Sequence, residues 1–159
     1  MKKVMFISSS GGHLDELLQL KEMFPKYDYH IITEKTKSTL GLKNKYSKRV
    51  SYLVYGTYTT KLNKFIYPFK LIYNTIKSFF IYLKVRPKYI VSTGAHTAGP
   101  MCLIGHLLGS KIIFIETFAN SNSKSKTGSI VYKFADLFIV QWESMLELYP
   151  NAVYGGWIF

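Results

Sequence analysis

A chain of 159 residues with 48% hydrophobic and 16% aromatic residues can bury the core of one domain and is too apolar to be disordered. Its 21 basic and 9 acidic residues give a formal charge of +12 at pH 7, which predicts an anionic partner: nucleic acid, a membrane surface or a phosphorylated substrate. The only cysteine, Cys102, excludes an intramolecular disulfide and a cysteine-based metal site, as suits a reducing compartment.

The first predicted strand and helix are joined by an unusual glycine turn. Residues 4–7 are an apolar run that predicts a buried strand, and leucines at helical spacing follow from Leu14. Between them lies Ser8-Ser9-Ser10-Gly11-Gly12-His13. Glycines let a ligand approach the backbone and a helix N-terminus attracts anions, so the turn is typical of a phosphate site. It matches neither the Walker A nor the dinucleotide pattern, and a tight connection without a ligand is the alternative.

Five further segments predict strands, at residues 29–33, 50–55, 89–94, 111–116 and 136–140. Their alternation with helical patterns predicts an α/β fold: a Rossmann-like parallel sheet with helices on both faces, in a single domain over residues 1–159. Such folds bind ligands at the carboxyl ends of their strands. Three polar turns are therefore expected to converge there, at residues 9–13, 93–97 and 116–122.

Residues 34–49 contain six lysines and arginines and a single acid, Glu34. This composition predicts a solvated basic loop with room for a short helix. An electrostatic hold on anionic lipid is the alternative.

Residues 68–84 predict a helix with Pro68 in its first turn and Pro87 beyond its end. Its polar residues form one narrow stripe of Lys70, Asn74, Lys77 and Lys84, so its apolar face is wider than that of an ordinary surface helix. A helix of about 25 Å with internal lysines is a poor transmembrane segment but fits the membrane interface. The alternative is a helix packed on the sheet and covered by a neighbour. The expected membrane contacts are Phe69, Ile72, Lys77, Phe79 and Phe80.

Two histidines and one acid carry the chemistry of the three polar turns. His13 can act as a general base on a hydroxyl or donate to a phosphate oxygen, unless it only faces water at the helix start. His96 lies in a similar turn. Glu116 is interpreted as the only acid at the end of an apolar strand, where it contacts a ligand or orients the next loop. No metal ion is expected, because no cluster has the spacing of metal ligands.

Several motifs resemble known glycosyltransferases. Residues 9–13 and 92–95 resemble the glycine turns in the acceptor lobe of the peptidoglycan N-acetylglucosaminyltransferase that makes lipid II, and Gly99-Pro100 resembles its helix start. The likeness is closer to the membrane-anchoring subunit of the two-part eukaryotic transferase that adds the second N-acetylglucosamine to dolichol-linked oligosaccharide. The segments similar to that subunit are residues 115–119, 125–128 and 138–142 with Tyr149-Pro150. Bacterial relatives of the subunit act in capsule and exopolysaccharide synthesis.

This resemblance implies a GT-B glycosyltransferase fold divided between two polypeptides. The chain would be the N-terminal, acceptor-side lobe, and a separate catalytic subunit would bind the UDP-sugar, so no cofactor is expected here. The implied acceptor is a saccharide on polyprenyl diphosphate, at the cytoplasmic face of a bacterial plasma membrane. The eukaryotic subunit begins with a transmembrane helix and this chain begins at its first strand. We therefore expect residues 68–84 and the basic loop to provide peripheral attachment.

The resemblance also implies roles for individual residues. The residues expected to bind the acceptor or its diphosphate are Ser10, Gly11, Gly12, His13, Gly94, His96, Thr97, Glu116 and Asn120. His13 is the candidate catalytic base. The apolar side chains of Trp157, Ile158 and Phe159 are expected to dock against the partner, with packing on their own sheet as the alternative.

Two other functions are compatible with the residues. A self-sufficient small enzyme that binds a sugar nucleotide would do so without a partner, whereas a divided transferase is expected to be inactive or weakly active alone. A nucleic-acid binder is favoured by the charge only. No nucleic-acid motif is found, and the aromatic residues lie in apolar segments and are not interleaved through the basic loop.

Overall fold

A computed structural model describes residues 1–56 and 61–159, with side chains described outside residues 61–64. The strands are β1 (Lys3–Ser8), β2 (Asp28–Lys35), β3 (Val50–Val54), β4 (Tyr89–Gly94), β5 (Lys111–Ile115), β6 (Leu137–Val140) and β7 (Val153–Tyr154). The α-helices are α1 (Gly12–Gln19), α2 (Leu42–Tyr46), α3 (Lys61–Val85), α4 (Ala98–Leu107), α5 (Lys126–Val131) and α6 (Met145–Leu148). Short 3-10 helices follow α1 and α2, at Leu20–Lys26 and Ser47–Arg49.

The seven strands form one parallel sheet in the order β3-β2-β1-β4-β5-β6-β7. The chain moves outward from β1 to β3 and then returns to place β4 against the other side of β1. The adjacent carboxyl ends of β1 and β4 are therefore the topological switch point, where folds of this class bind their ligands. The prediction of a Rossmann-like parallel sheet is confirmed.

Each face of the sheet is covered by helices that bury an apolar core. On one face Tyr82 of α3, Met101 of α4 and Val131 of α5 pack into a single cluster. On the other face Leu17 of α1 and Phe24 of the following 3-10 helix are buried against the sheet. Two separate layers of helix are thus needed to shield the apolar strands, as the sequence pattern predicts.

Helix α3 is longer than predicted and contains its proline. It begins at Lys61, whereas the sequence pattern placed Pro68 in the first turn, so Pro68 lies inside the helix. Pro68 is exposed, and the carbonyl group that loses its donor can bond to water instead. Part of the polar stripe faces the sheet. The Asn74 amide donates to the Val54 carbonyl and accepts from the Val54 N–H, both at 2.8 Å.

Because Asn74 and Ser78 of α3 pack inward, an apolar face is directed outward. Eight of its side chains are 40–75% exposed, and we call them the aromatic face: Phe65, Phe69, Ile72, Tyr73, Ile76, Phe79, Phe80 and Leu83. A contiguous exposed apolar surface marks a binding or membrane-contact surface. In the part of the chain that the structure describes, no helix is long and apolar enough to cross a membrane.

The prediction of a solvated loop at residues 34–49 is wrong at its start, where strand β2 continues through Lys35. Helix α2 provides the short helix for which the prediction left room, and a 3-10 turn follows it. Glu34 is only 1% exposed, so it is part of the sheet's polar edge and not of a solvated segment. A carboxylate can be buried at this position because hydrogen-bond donors from other loops satisfy it.

Candidate functional site

The turn between β1 and α1 provides an open, backbone-lined surface at the switch point. Gly11 has φ 82°, a conformation that favours glycine, and it precedes α1 without a side-chain cap. A Cβ atom added at Gly11 or Gly12 would meet no other atom within 4 Å. An uncapped helix start with open space above it is where an anion can approach the backbone N–H groups.

Thr93, at the end of β4, holds His13 on two sides. The Nδ1 atom of His13 lies 2.8 Å from the Thr93 carbonyl oxygen, and the Thr93 hydroxyl donates to the His13 carbonyl at 2.7 Å. Since a carbonyl oxygen can only accept, Nδ1 carries the proton and Nε2 keeps its lone pair. A Cβ atom at Gly94 would lie 3.4 Å from the imidazole ring, so glycine leaves room for the ring there. His13 is thus held in the tautomer that a base acting through Nε2 requires.

Glu16 controls the charge state of His13 and connects it to the turn after β5. Its Oε1 accepts from the Thr117 hydroxyl at 2.7 Å and from the Phe118 N–H at 2.9 Å. Its Oε2 is buried without a hydrogen-bond partner and lies 3.7 Å from His13 Nδ1. Burial lowers the pKa of His13, but the nearby carboxylate of Glu16, aided by the Thr93 carbonyl, raises that pKa above its ordinary 6.5 overall.

Glu34 connects the carboxyl ends of three strands through its buried carboxylate. Its Oε2 accepts from the Ser10 N–H at 3.0 Å and from the Ser10 hydroxyl at 2.8 Å. Its Oε1 accepts from the Thr97 hydroxyl at 2.5 Å and from the Gly56 N–H at 3.3 Å. His96 Nε2 lies 3.8 Å from the same oxygen and donates to the Gly56 carbonyl at 2.9 Å. These bonds hold the predicted phosphate turn against the His96 turn.

Glu116 is 2% exposed and surrounded by donors from its own part of the fold. Its Oε2 accepts from the Ser125 and Tyr149 hydroxyls, each at 3.0 Å, and its Oε1 accepts from the Thr117 N–H at 3.2 Å. Burial, and then the charge and hydrogen bond of Glu116, raise the pKa of Tyr149, so its phenol stays a donor. A Cβ atom at Gly128 would lie 2.1 Å from Glu116 Oε2. This geometry favours the loop-orienting alternative, and direct acceptor contact stays a prediction.

The structure brings the other expected acceptor residues to the same edge of the sheet, but not all of them are available to a ligand. Gly11 and Gly12 are exposed, whereas the hydroxyl groups of Ser10 and Thr97 are engaged by Glu34. Asn120 is half-buried in the turn after β5, where its N–H donates to the Thr117 carbonyl. Their roles as acceptor ligands stay predictions.

Two site carboxylates were missed from sequence. Glu16 appears as an ordinary helix residue, although its spacing of three from His13 is a signal that places both on one side of α1. The interpretation of Glu116 as the only acid at the end of an apolar strand is wrong, because Glu34 is the second-last residue of β2, beside Lys35. The sequence feature that could have indicated Glu34 is its position directly after the predicted strand at residues 29–33.

The C-terminal apolar residues divide between solvent and core. Trp157 is 73% exposed, and its ring lies 5.4 Å from Phe118 and 6.2 Å from Trp142. Ile158 and Phe159 are half-buried against the core on the α1 face. Ile158 and Phe159 are therefore partly buried by packing on their own sheet. The exposed side chain of Trp157 remains available to a partner.

Comparisons with known proteins identify relatives of this chain in sequence and in fold. The UDP-N-acetylglucosamine transferase subunit ALG14 of Mus musculus is 25% identical over 178 residues, which cover 97% of this chain and 82% of the mouse protein. The solved MurG of Acinetobacter baumannii has a TM-score of 0.70 at 18% identity, over 91% of this chain and 43% of MurG. For UDP-N-acetylglucosamine 2-epimerase from Rickettsia bellii the TM-score is 0.66 at 15% identity, over 90% of this chain and 39% of the epimerase.

This chain spans less than half the length of either solved protein, and these likenesses show the fold alone. They confirm the predicted similarity to one half of a GT-B glycosyltransferase. A family model described as "Oligosaccharide biosynthesis protein Alg14 like" matches residues 4–158. With nearly every residue from β1 to the C-terminal segment inside that match, this chain belongs to the Alg14-like family of oligosaccharide biosynthesis proteins.

Proposed function

We propose that this chain is the acceptor-binding, membrane-associating and activating subunit of a two-component UDP-N-acetylglucosamine transferase. The observation that carries the proposal is the family match over residues 4–158, since curated relatives are named as subunits of such a transferase. The UDP-sugar would bind a separate catalytic subunit, and the acceptor would be a saccharide linked to polyprenyl diphosphate. The site geometry supports an acceptor role, because the open glycine turn suits a diphosphate and His13 Nε2 suits a sugar hydroxyl.

The finer setting rests on the sequence resemblance. A bacterial capsule or exopolysaccharide, made at the cytoplasmic face of the plasma membrane, is proposed as the product and the place. The mouse relative is a eukaryotic protein and leaves this setting to experiment. The exposed aromatic face of α3 supports attachment to a bilayer surface.

Reconstitution tests the divided transferase. Membranes containing this chain, the candidate catalytic subunit, or both are supplied with a lipid-linked acceptor and a panel of UDP-sugars. We expect transfer to require both proteins, or to rise by about tenfold or more over either alone, because the proposed GT-B site is completed between two lobes. Full activity of this chain alone would contradict the proposal and favour the self-sufficient enzyme.

Replacement of Glu16 by Gln is expected to shift the acidic limb of the kcat/KM profile to lower pH. A general base must be neutral, so activity rises as the pH passes its pKa. Glu16 raises that pKa in the wild-type protein, and Gln removes the charge while keeping an oxygen for Thr117 and Phe118. The pH dependence of the reconstituted transferase measures the shift.

The matched control for this profile is Glu22→Gln, which removes one exposed carboxylate outside the site. We expect its acidic limb to coincide with that of the wild-type protein. An unshifted limb in Glu16→Gln would contradict the assignment of that limb to His13 under the influence of Glu16.

A further inference from the structure

A basic groove lies along the edge strand β3, at the end of the sheet opposite the candidate site. Its walls are formed by the first residues of β2 and β3, by Ser47–Arg49 and by the last turns of α3. The cavity has a volume of about 820 Å³. Among the described residues, its charged lining groups are five cations and one carboxylate: Lys3, Lys43, Lys48, Arg49, Lys84 and Asp28.

The carboxylate leaves most of this positive charge uncompensated. Asp28 is engaged by Arg49 at 2.9 Å, and Arg49 also donates to the Tyr29 carbonyl. Within the described part of the chain, no carboxylate lies within ion-pair distance of Lys48 or Lys84. The groove therefore presents cations to any anion that enters it.

An apolar cavity of about 390 Å³ adjoins the basic groove. Tyr73, Ile76 and Phe80 of the aromatic face line it together with Lys77. The two cavities share Ser51, Ile81 and Lys84. They thus form one groove whose lining changes at Lys84 from mainly cationic to mainly apolar. A phospholipid has the same order of chemistry, since its phosphate joins directly to hydrocarbon.

We propose that this groove binds an anionic membrane phospholipid, with its phosphate among Lys48 and Lys84 and an acyl chain against Ile76 and Phe80. The inference rests on the proposed membrane association and specifies the lipid. Charge complementarity and continuity with the aromatic face select a bilayer lipid over a nucleic acid, which would leave the apolar part empty. The site is separate from the acceptor site, because it lies at the amino ends of β2 and β3.

Vesicle binding of the full chain, without a partner, tests this site. The vesicles are phosphatidylcholine alone or with about 30% phosphatidylglycerol, an anionic content at which juxtamembrane cations contribute. We expect Lys48→Ala/Lys84→Ala to weaken binding to the anionic vesicles by about 25-fold, or about fivefold for each cation, and to change binding to neutral vesicles by less than about twofold. The control is Lys26→Ala/Lys133→Ala, which removes two exposed lysines outside the groove.

The competitors distinguish the possible sources of phosphate. At matched ionic strength we expect neither inorganic phosphate nor a generic DNA duplex to release the wild-type chain from anionic vesicles, because neither fills the apolar cavity. Release by phosphate would reassign the groove to a free anion, and release by the duplex to nucleic acid. Equal losses in the groove pair and the control pair would also overturn the site. The reconstitution assay, carried out with neutral lipids, would test the proposed function independently of this lipid site.

Discussion

Replacing His13 by Ala is expected to lower the turnover of the assembled transferase by about a hundredfold or more, the usual cost of losing a general base. The geometry leaves Nε2 of this residue as its free nitrogen, because the Thr93 carbonyl accepts a hydrogen bond from Nδ1–H. In the proposed mechanism, Glu16 stabilises the imidazolium that forms when Nε2 removes a proton from the acceptor hydroxyl. The measurement is kcat at saturating acceptor, at a pH on the plateau of the wild-type profile.

His106→Ala is the control, since His106 is exposed at the end of α4 and contacts Phe134 away from the site. We expect wild-type turnover from it. Urea unfolding and co-purification with the catalytic subunit establish that His13→Ala is folded and assembled. A loss below about threefold in a folded complex would remove His13 from the proton transfer, because general-base catalysis contributes far more.

The fold was predictable because its strands are apolar and short. Strand β4 agrees with its predicted bounds, and β5 ends one residue before the predicted segment does. Helix α3 was harder to delimit, since Pro68 is typical of a helix start but also tolerated where its turn faces water. The two-residue β7 was not predicted, because so short an edge strand depends on its pairing with β6.

The part of the site formed by backbone groups was predictable from the sequence. The part formed by hydrogen bonds between side chains was less predictable. The turn at Gly11 and Gly12 was predictable from sequence because the two glycines lie between an apolar run and leucines at helical spacing. Glu34 was assigned to a basic solvated loop, because no residue near it in the sequence indicates that Ser10 and Thr97 donate hydrogen bonds to it. Those donors are 24 and 63 residues away along the chain. Such pairs become apparent only when the sheet order places β1, β2 and β4 side by side.

Which face of α3 packs on the sheet also depends on a contact that is not evident from the sequence of the helix alone. Its sequence has one polar stripe, and a surface helix would normally turn that stripe to water. Asn74 instead bonds to both backbone groups of Val54, because β3 is an edge strand whose N–H and C=O groups need partners. Satisfying that edge directs the aromatic face away from the core. The membrane contacts predicted from sequence then include side chains that are well exposed, with Phe69 and Phe80 each at 64%.

Replacing both Phe69 and Phe80 by Ser is expected to weaken binding to neutral phosphatidylcholine vesicles by about a hundredfold. Each exposed ring would transfer much of its apolar surface into the bilayer, worth about 1.5 kcal/mol, and about 3 kcal/mol for two corresponds to that factor. Neutral vesicles are used so that the lysines of the basic groove contribute little. Sedimentation with vesicles measures the partition coefficient.

Leu107→Ser/Ile130→Ser is the matched control, because these side chains are 71% and 59% exposed on α4 and α5 and lie outside the aromatic face. If any exposed apolar residue promoted adsorption, the two pairs would lose affinity equally, and α3 would not be the membrane contact. A loss confined to the α3 pair would show that the aromatic face of α3 is the membrane contact. The open turn at Gly11 would then have to face a lipid-linked acceptor from a position set by α3, since Tyr67 of that helix contacts His96 at 5.8 Å between ring centroids.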